Sequence, residues 1–336
     1  MLSKASYLTI ALFVWTLPAM GGDLNPLSAR MLYPVQESGK WGYMDKAGEV
    51  VVKPQYQEAK NFSEGMGRVK VEDGKWGFVD GSGELTINPQ YETAMDFSDG
   101  VARVFKPKLL GGEYAYVSKE GKTIIGYEFD ESGDFSEGLA AFAFKGKDWG
   151  YINKEGEKAI KPQFEEAAAF SNGLARVKVG GNYGYINLEG KLTINPSYAD
   201  GGKFNDGLAP VKVKDKWGYI DSHDKMMVEP QFDKADAFSG GLARVCMAGG
   251  EYGFIDKTGT MAVNPKFKDA SPFYQGLAAV RIDDKWGYID STGKVIIEAQ
   301  YQQAGGFSAD GLAVVKVGDK VGWIDKAGKY VWQPTN

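Results

Sequence analysis

Gly173-Leu174-Ala175-Arg176-Val177-Lys178-Val179-Gly180-Gly181-Asn182-Tyr183-Gly184-Tyr185-Ile186-Asn187 is the stretch that decides the fold. Ala175, Val177 and Val179 alternate with Leu174, Arg176 and Lys178, which is the period of a strand with one buried face. Gly180-Gly181-Asn182 is a tight hairpin loop. Tyr183 to Asn187 is rich in aromatic and β-branched residues and reads as a second strand. Downstream, Asn187-Leu188-Glu189-Gly190 closes a turn and Lys191 to Pro196 forms a third short strand. Proline cannot donate to a ladder, so Pro196 ends it.

The same unit recurs along the chain. Its aromatic-Gly-aromatic signature, or the segment standing in for it, begins at Trp41, Trp76, Tyr114, Trp149, Tyr183, Trp217, Tyr252, Trp286 and Val321, at intervals of 34 to 38 residues. A period of that size describes an array of small units, each burying its apolar face against the next. Between units lies a connector with an aromatic at one end and Phe six residues on, as in Tyr56/Phe62, Phe164/Phe170 and Tyr301/Phe307. Ala commonly sits three before the Phe, as Ala59, Ala167 and Ala304 do. Spacings of three and six suggest one or two turns of helix laid on the sheet. Phe-Ser-x-Gly then opens the next strand, as at Phe62-Ser63-Glu64-Gly65.

Lys-Trp-Gly-Tyr-Ile-Asp, Pro-Gln-Phe or Pro-Gln-Tyr, and Phe-Ser-x-Gly-Leu-Ala together resemble the WG (or KWG) repeat family of bacterial proteins. The resemblance covers about nine-tenths of the chain. It implies an all-β repeat fold and supplies no catalytic residue.

The array is expected to be all-β, with nine three-stranded antiparallel meanders from residue 31 to residue 336. The first strand is placed at Leu32–Gln36 and the last at Lys329–Gln333. An open, curved solenoid is favoured and a closed propeller-like ring is the alternative. Propeller blades usually have four strands, and neither end of this chain completes a unit begun by the other.

The first residues differ from the array. Lys4, the apolar run Tyr7 to Leu17, and the small residues of Pro18-Ala19-Met20-Gly21-Gly22 have the layout of a secretory signal peptide over residues 1–22. Residues 23–30 form a linker. The apolar run is short for a bilayer span, and no later segment could cross one. The expected location is therefore exported, periplasmic or extracellular. With Cys246 as the only cysteine, no intramolecular disulfide is available and packing alone must hold the array. Cys246 reads as a half-exposed strand residue, since sister units carry Lys178 or Lys70 there. The formal net charge of −5 argues against nucleic acid, which calls for a basic footprint.

Candidate chemistry is sparse. Trp and Tyr of the signature share one strand face, as Trp217 and Tyr219 do. They read as the glue between units, against a competing reading as a stacking ladder for sugars or peptides. The residue closing the signature is Asp45, Asp80, Asp221, Asp256, Asp290 or Asp325, and Asn153, Asn187 or Ser118 in the other units. Such interchange fits a turn role, with Gly three residues later in every unit but the one carrying Asp224. His223, the one histidine, lies in a turn, and no nucleophile–base constellation accompanies it. No metal-ligand spacing or phosphate-binding glycine motif is present, so no metal or cofactor is expected.

The third unit departs most from the pattern. Its hairpin is extended as Lys106-Pro107-Lys108-Leu109-Leu110-Gly111-Gly112, and Tyr114-Ala115-Tyr116 replaces Trp-Gly-Tyr. Leu109, Leu110, Tyr114 and Tyr116 are the candidate partner contacts. The favoured function is non-enzymatic: an exported binding or scaffold protein whose repeat surface meets protein or cell-envelope polysaccharide. A carbohydrate-active hydrolase with an acidic pair in a groove is one alternative. A purely structural spacer is the other.

Overall fold

The computed structural model describes residues 30–108 and 111–334. They form nine antiparallel sheets, the first with three strands and the other eight with four. In the sixth, for example, Leu208–Val213 pairs with Lys216–Asp221, which pairs with Met226–Phe232. The fourth strand is the connector: Asp200–Gly201 lies against Leu208–Val213, with Gly201 opposite Val211.

The connector is thus a strand, not the expected helical turn. Two residues in the left-handed region, such as Glu64 at φ 51° and Gly65 at φ 82°, make a tight hairpin that folds it back on the next strand. The sixfold aromatic spacing suits a strand equally, because even separations share a face. The odd Ala-to-Phe spacing is absorbed by a register shift between Ala59 and Phe62.

The sheets are blades of a closed nine-bladed β-propeller, not an open solenoid. Nine apolar clusters sit one per interface, and the ninth joins Tyr33, Val35 and Met44 of blade 1 to Leu312 and Trp323 of blade 9. Among the described residues, closure uses side chains across the seam. At every other interface a signature ring meets the connector Phe of the next blade, as Tyr43 meets Phe62 and Tyr219 meets Phe238, with centroids 5.0 and 4.9 Å apart. At the seam Trp323 and Tyr33 form the equivalent pair at 5.0 Å. The Trp323 indole N–H donates to the Pro34 carbonyl at 2.8 Å. The Tyr33 hydroxyl donates to Asp310 Oδ2 at 3.0 Å. Tyr33 occupies a position held by Gly67, Ala209 or Ala243 elsewhere, so its ring fills space that a connector Phe takes in other blades.

The signature divides its labour. The second ring (Tyr43, Phe78, Tyr151, Tyr219, Tyr288) is wholly buried, and its burial stabilises by about 4–6 kcal/mol as an upper bound. Its hydroxyl, where present, reaches a connector carbonyl: Tyr219 donates to Asp236 O at 2.8 Å. The first ring stays half-exposed in most blades. The glycine between them is required by its own blade, since a Cβ on Gly218 would lie 2.5 Å from Val228 O and 2.8 Å from Pro230 N of the third strand.

Candidate functional site

Connectors of successive blades approach one another, as Glu58–Ser63 and Thr93–Ser98 do. Side chains from the connectors of blades 2, 8 and 9 line one depression together with the start of blade 1. They are tied in sequence: Ser63 Oγ donates to Phe97 O, Ser98 to Phe135 O, Ser171 to Phe204 O and Ser239 to Phe273 O, each at 2.7 Å. The acidic residues of these turns serve the same purpose. Glu64 accepts the Asp99 and Gly100 amides at 2.7 and 2.9 Å, and Asp206 accepts the Gly241 amide at 2.9 Å. These carboxylates thereby tie each turn to the backbone of the next.

The signature Asp behaves as the turn residue expected of it. Asp221 Oδ1 accepts the amides of His223 and Lys225 at 2.9 and 3.0 Å, and those bonds hold its carboxyl below the usual range. Asn187 does the same for Lys191 at 2.9 Å. Asp224, which stands where Gly is usual, sits at φ 65° and accepts the Tyr198 hydroxyl at 2.5 Å. His223 is exposed on the same turn. Among the described residues no group of three His, Cys, Asp or Glu is placed to hold a metal. Cys246 is buried rather than half-exposed: it lies in the sheet between Lys234 of the connector and Tyr252 of the second strand.

Of the four candidate contacts, Leu109 and Leu110 lie outside the described residues. Tyr116 is a buried interface ring, 4.8 Å from Phe135, with its hydroxyl on Gly133 O at 2.6 Å. Burial pushes its phenol up to about 12. Only Tyr114 stays half-exposed, under the Arg103 guanidinium at 5.0 Å.

That arginine belongs to a device repeated in four blades. Arg68, Arg103, Arg176 and Arg244 each cross to the next connector, donating to the carbonyls of Ala94, Ser132, Gly201 and Ala270. Each also lies over the first signature ring of its own blade, at 5.4 Å on Trp76 and 4.8 Å on Tyr183 and Tyr252. The guanidinium closes the interface over that ring and pairs with an acid on the neighbour, as Arg103 does with Asp134 at 3.0 Å. In blade 6 the position is Pro210, opposite Tyr219. A cavity of about 400 Å³ lies there beside Trp217. Its walls include Lys203, Pro210, Trp217, Asp236, Phe238 and Pro272, from three successive blades. Asp236 is held in place by Arg244 Nε. An indole face with a fixed carboxylate and an amine nearby can stack on and hydrogen-bond a small polar ring. The signal was readable: Pro210 interrupts a strand pattern that has Arg176 one unit before and Arg244 one unit after.

A family model described as WG containing repeat matches eight successive segments, from residues 41–76 to residues 286–320. The chain belongs to the WG-repeat family. Each match begins at a signature, so each WG repeat spans the second and third strands of one blade and runs through the connector into the first strand of the next. No curated protein matches the sequence. Among solved structures, the computationally designed Ika8 protein is similar in fold, with a TM-score of 0.51 at 10% identity over 90% of this chain and 99% of that one. BamB from Moraxella catarrhalis scores 0.45 at 11% identity, over 80% and 93% of the two chains. AztD from Citrobacter koseri scores 0.44 at 13% identity, over 90% and 93%.

Proposed function

We propose that this WG-repeat propeller is a non-enzymatic binding scaffold working outside the cytoplasm, and that it seats a glycan segment in the cavity between blades 6 and 7. The observation that carries the reading is the open face beside Trp217, where the Arg used in blades 2, 3, 5 and 7 is Pro210. A sugar ring offers a C–H face to the indole and hydroxyls to Asp236 and Lys203. The carboxylates of the connector turns serve as backbone acceptors, which supports binding over hydrolysis. The sequence of residues 1–22 supports export.

The test is a glycan array probed with the folded chain, followed by titration of any retained glycan. Trp217→Ala should weaken binding at least tenfold, which is about 1.4 kcal/mol, while the fold survives because the ring is only half-buried. Retention of no glycan, or equal binding by the Ala variant, would remove this reading.

A further inference from the structure

The cavity beside Trp217 carries one cation on its wall, Lys203. It stands one residue before Phe204, the connector phenylalanine of blade 6, and no other connector has a basic residue at that place. In blades 3 and 4 the position is an acid that pairs with the arginine reaching over from the blade before. Arg68 pairs there with Asp96 at 2.6 Å and Arg103 with Asp134 at 3.0 Å. Blade 6 reverses the charge. Arg176 of blade 5 pairs with Asp200 instead, at 3.1 Å. Lys203 is exposed, and among the described residues it has no hydrogen-bond or ion-pair partner.

The other polar side chains of the wall are engaged. Asn205 and Ser239 donate to Phe238 O and Phe273 O, each at 2.7 Å. Asp236 pairs with Arg244, which also holds Asp269 at 3.2 Å. The wall therefore presents a carboxylate already held by a guanidinium and, apart from it, an ammonium with nothing to bind. An ammonium is a compact point charge with three donors, so one anionic substituent can satisfy it. The Trp217 ring stays half-exposed as a stacking face. The cavity, at about 400 Å³, falls in the usual range for small-ligand sites, about 300–1,000 Å³.

We propose that the sugar seated in this cavity is acidic, with its ring on Trp217 and its carboxylate or sulfate on Lys203, which makes Lys203 the residue that sets specificity. This rests on the glycan reading given above. Asp236 accepts from the hydroxyls of the same sugar, and its pairing with Arg244 reduces its repulsion of the acid. Because Lys203 is exposed, its attraction is screened by salt.

Calorimetric titration of the folded chain with uronate oligosaccharides and with sulfated oligosaccharides, each beside its uncharged counterpart, tests this. At least one acidic oligomer should bind about fivefold more tightly than its counterpart, the scale of one exposed ion pair. A preference in the uronate pair assigns a carboxylate, and one in the sulfated pair a sulfate. High salt should close the gap. Lys203→Gln should abolish the preference and Lys203→Glu should reverse it. Lys225→Gln, at an exposed lysine of the same blade outside the cavity wall, should leave it intact. Equal binding of acidic and uncharged oligomers overturns the inference, and so does a preference that survives Lys203→Gln; both results leave the glycan scaffold standing. Retention of no sugar of either kind removes the scaffold reading together with the inference.

Discussion

Raising the pH should open the ring, because its interfaces bury neutral phenols. Tyr116 is shifted from 10.0 to about 12, chiefly by burial. Tyr43, Tyr151, Tyr185, Tyr219 and Tyr288 are raised for the same leading reason. The folded state therefore holds these protons more tightly than the unfolded chain. Below about pH 10 both states carry neutral phenols and nothing is lost. Above it the unfolded chain ionises first, and stability falls as the pH climbs toward the folded values. At about pH 11 a phenol moved from 10 to 12 removes roughly 1.4 kcal/mol. Six such groups remove on the order of 8 kcal/mol, within the usual total stability of about 5–15 kcal/mol. Circular dichroism and phenolate absorbance followed together against pH should show one steep transition beginning above about pH 10, in which fold and buried phenol protons are lost together. Ordinary titration of every phenol near pH 10 with the sheet signal intact would refute the burial argument.

Other consequences are equally direct. Gly218→Ala should cost at least about 1–3 kcal/mol in denaturant melts, because its methyl would run into Val228 O and Pro230 N; a neutral result would mean the third strand does not cross there. Gly207→Ala, at φ 87° with nothing near its Cβ, should cost only about 1 kcal/mol through backbone strain. The Cys246 thiol should resist a thiol reagent until the protein unfolds, and reaction at the rate of a free thiol would show that its strand is exposed.

The blade was legible in the sequence because its strands announce themselves locally. Alternation in Leu174–Val179 and the turn chemistry of Asp221 need no information from elsewhere in the chain. The connector was misread because even spacings serve helix and strand alike, and the register shift that accommodates Ala59 leaves no mark in composition. Closure was hidden for a different reason. It rests on Tyr33 and Trp323, which are 290 positions apart and look like drift from the repeat until they are seen as a pair. The cavity beside Trp217 was readable only as a missing Arg at Pro210, and the value of that Arg emerges from its reach to the neighbouring carbonyl. In the third unit, replacement of Trp-Gly-Tyr by Tyr114-Ala115-Tyr116 drew attention to rings that perform the same packing as their sisters.

Ring closure through the seam is the claim on which the rest depends, and a distance measurement tests it. Spin labels on Ser38→Cys and Asp319→Cys, in a Cys246→Ser background, report the first and last hairpins; labels on Ser38→Cys and Asp73→Cys report two blades that are neighbours in sequence. A closed ring predicts matching, narrow distance distributions for the two pairs. A first-to-last distance that is longer and broader than the neighbour pair would contradict it.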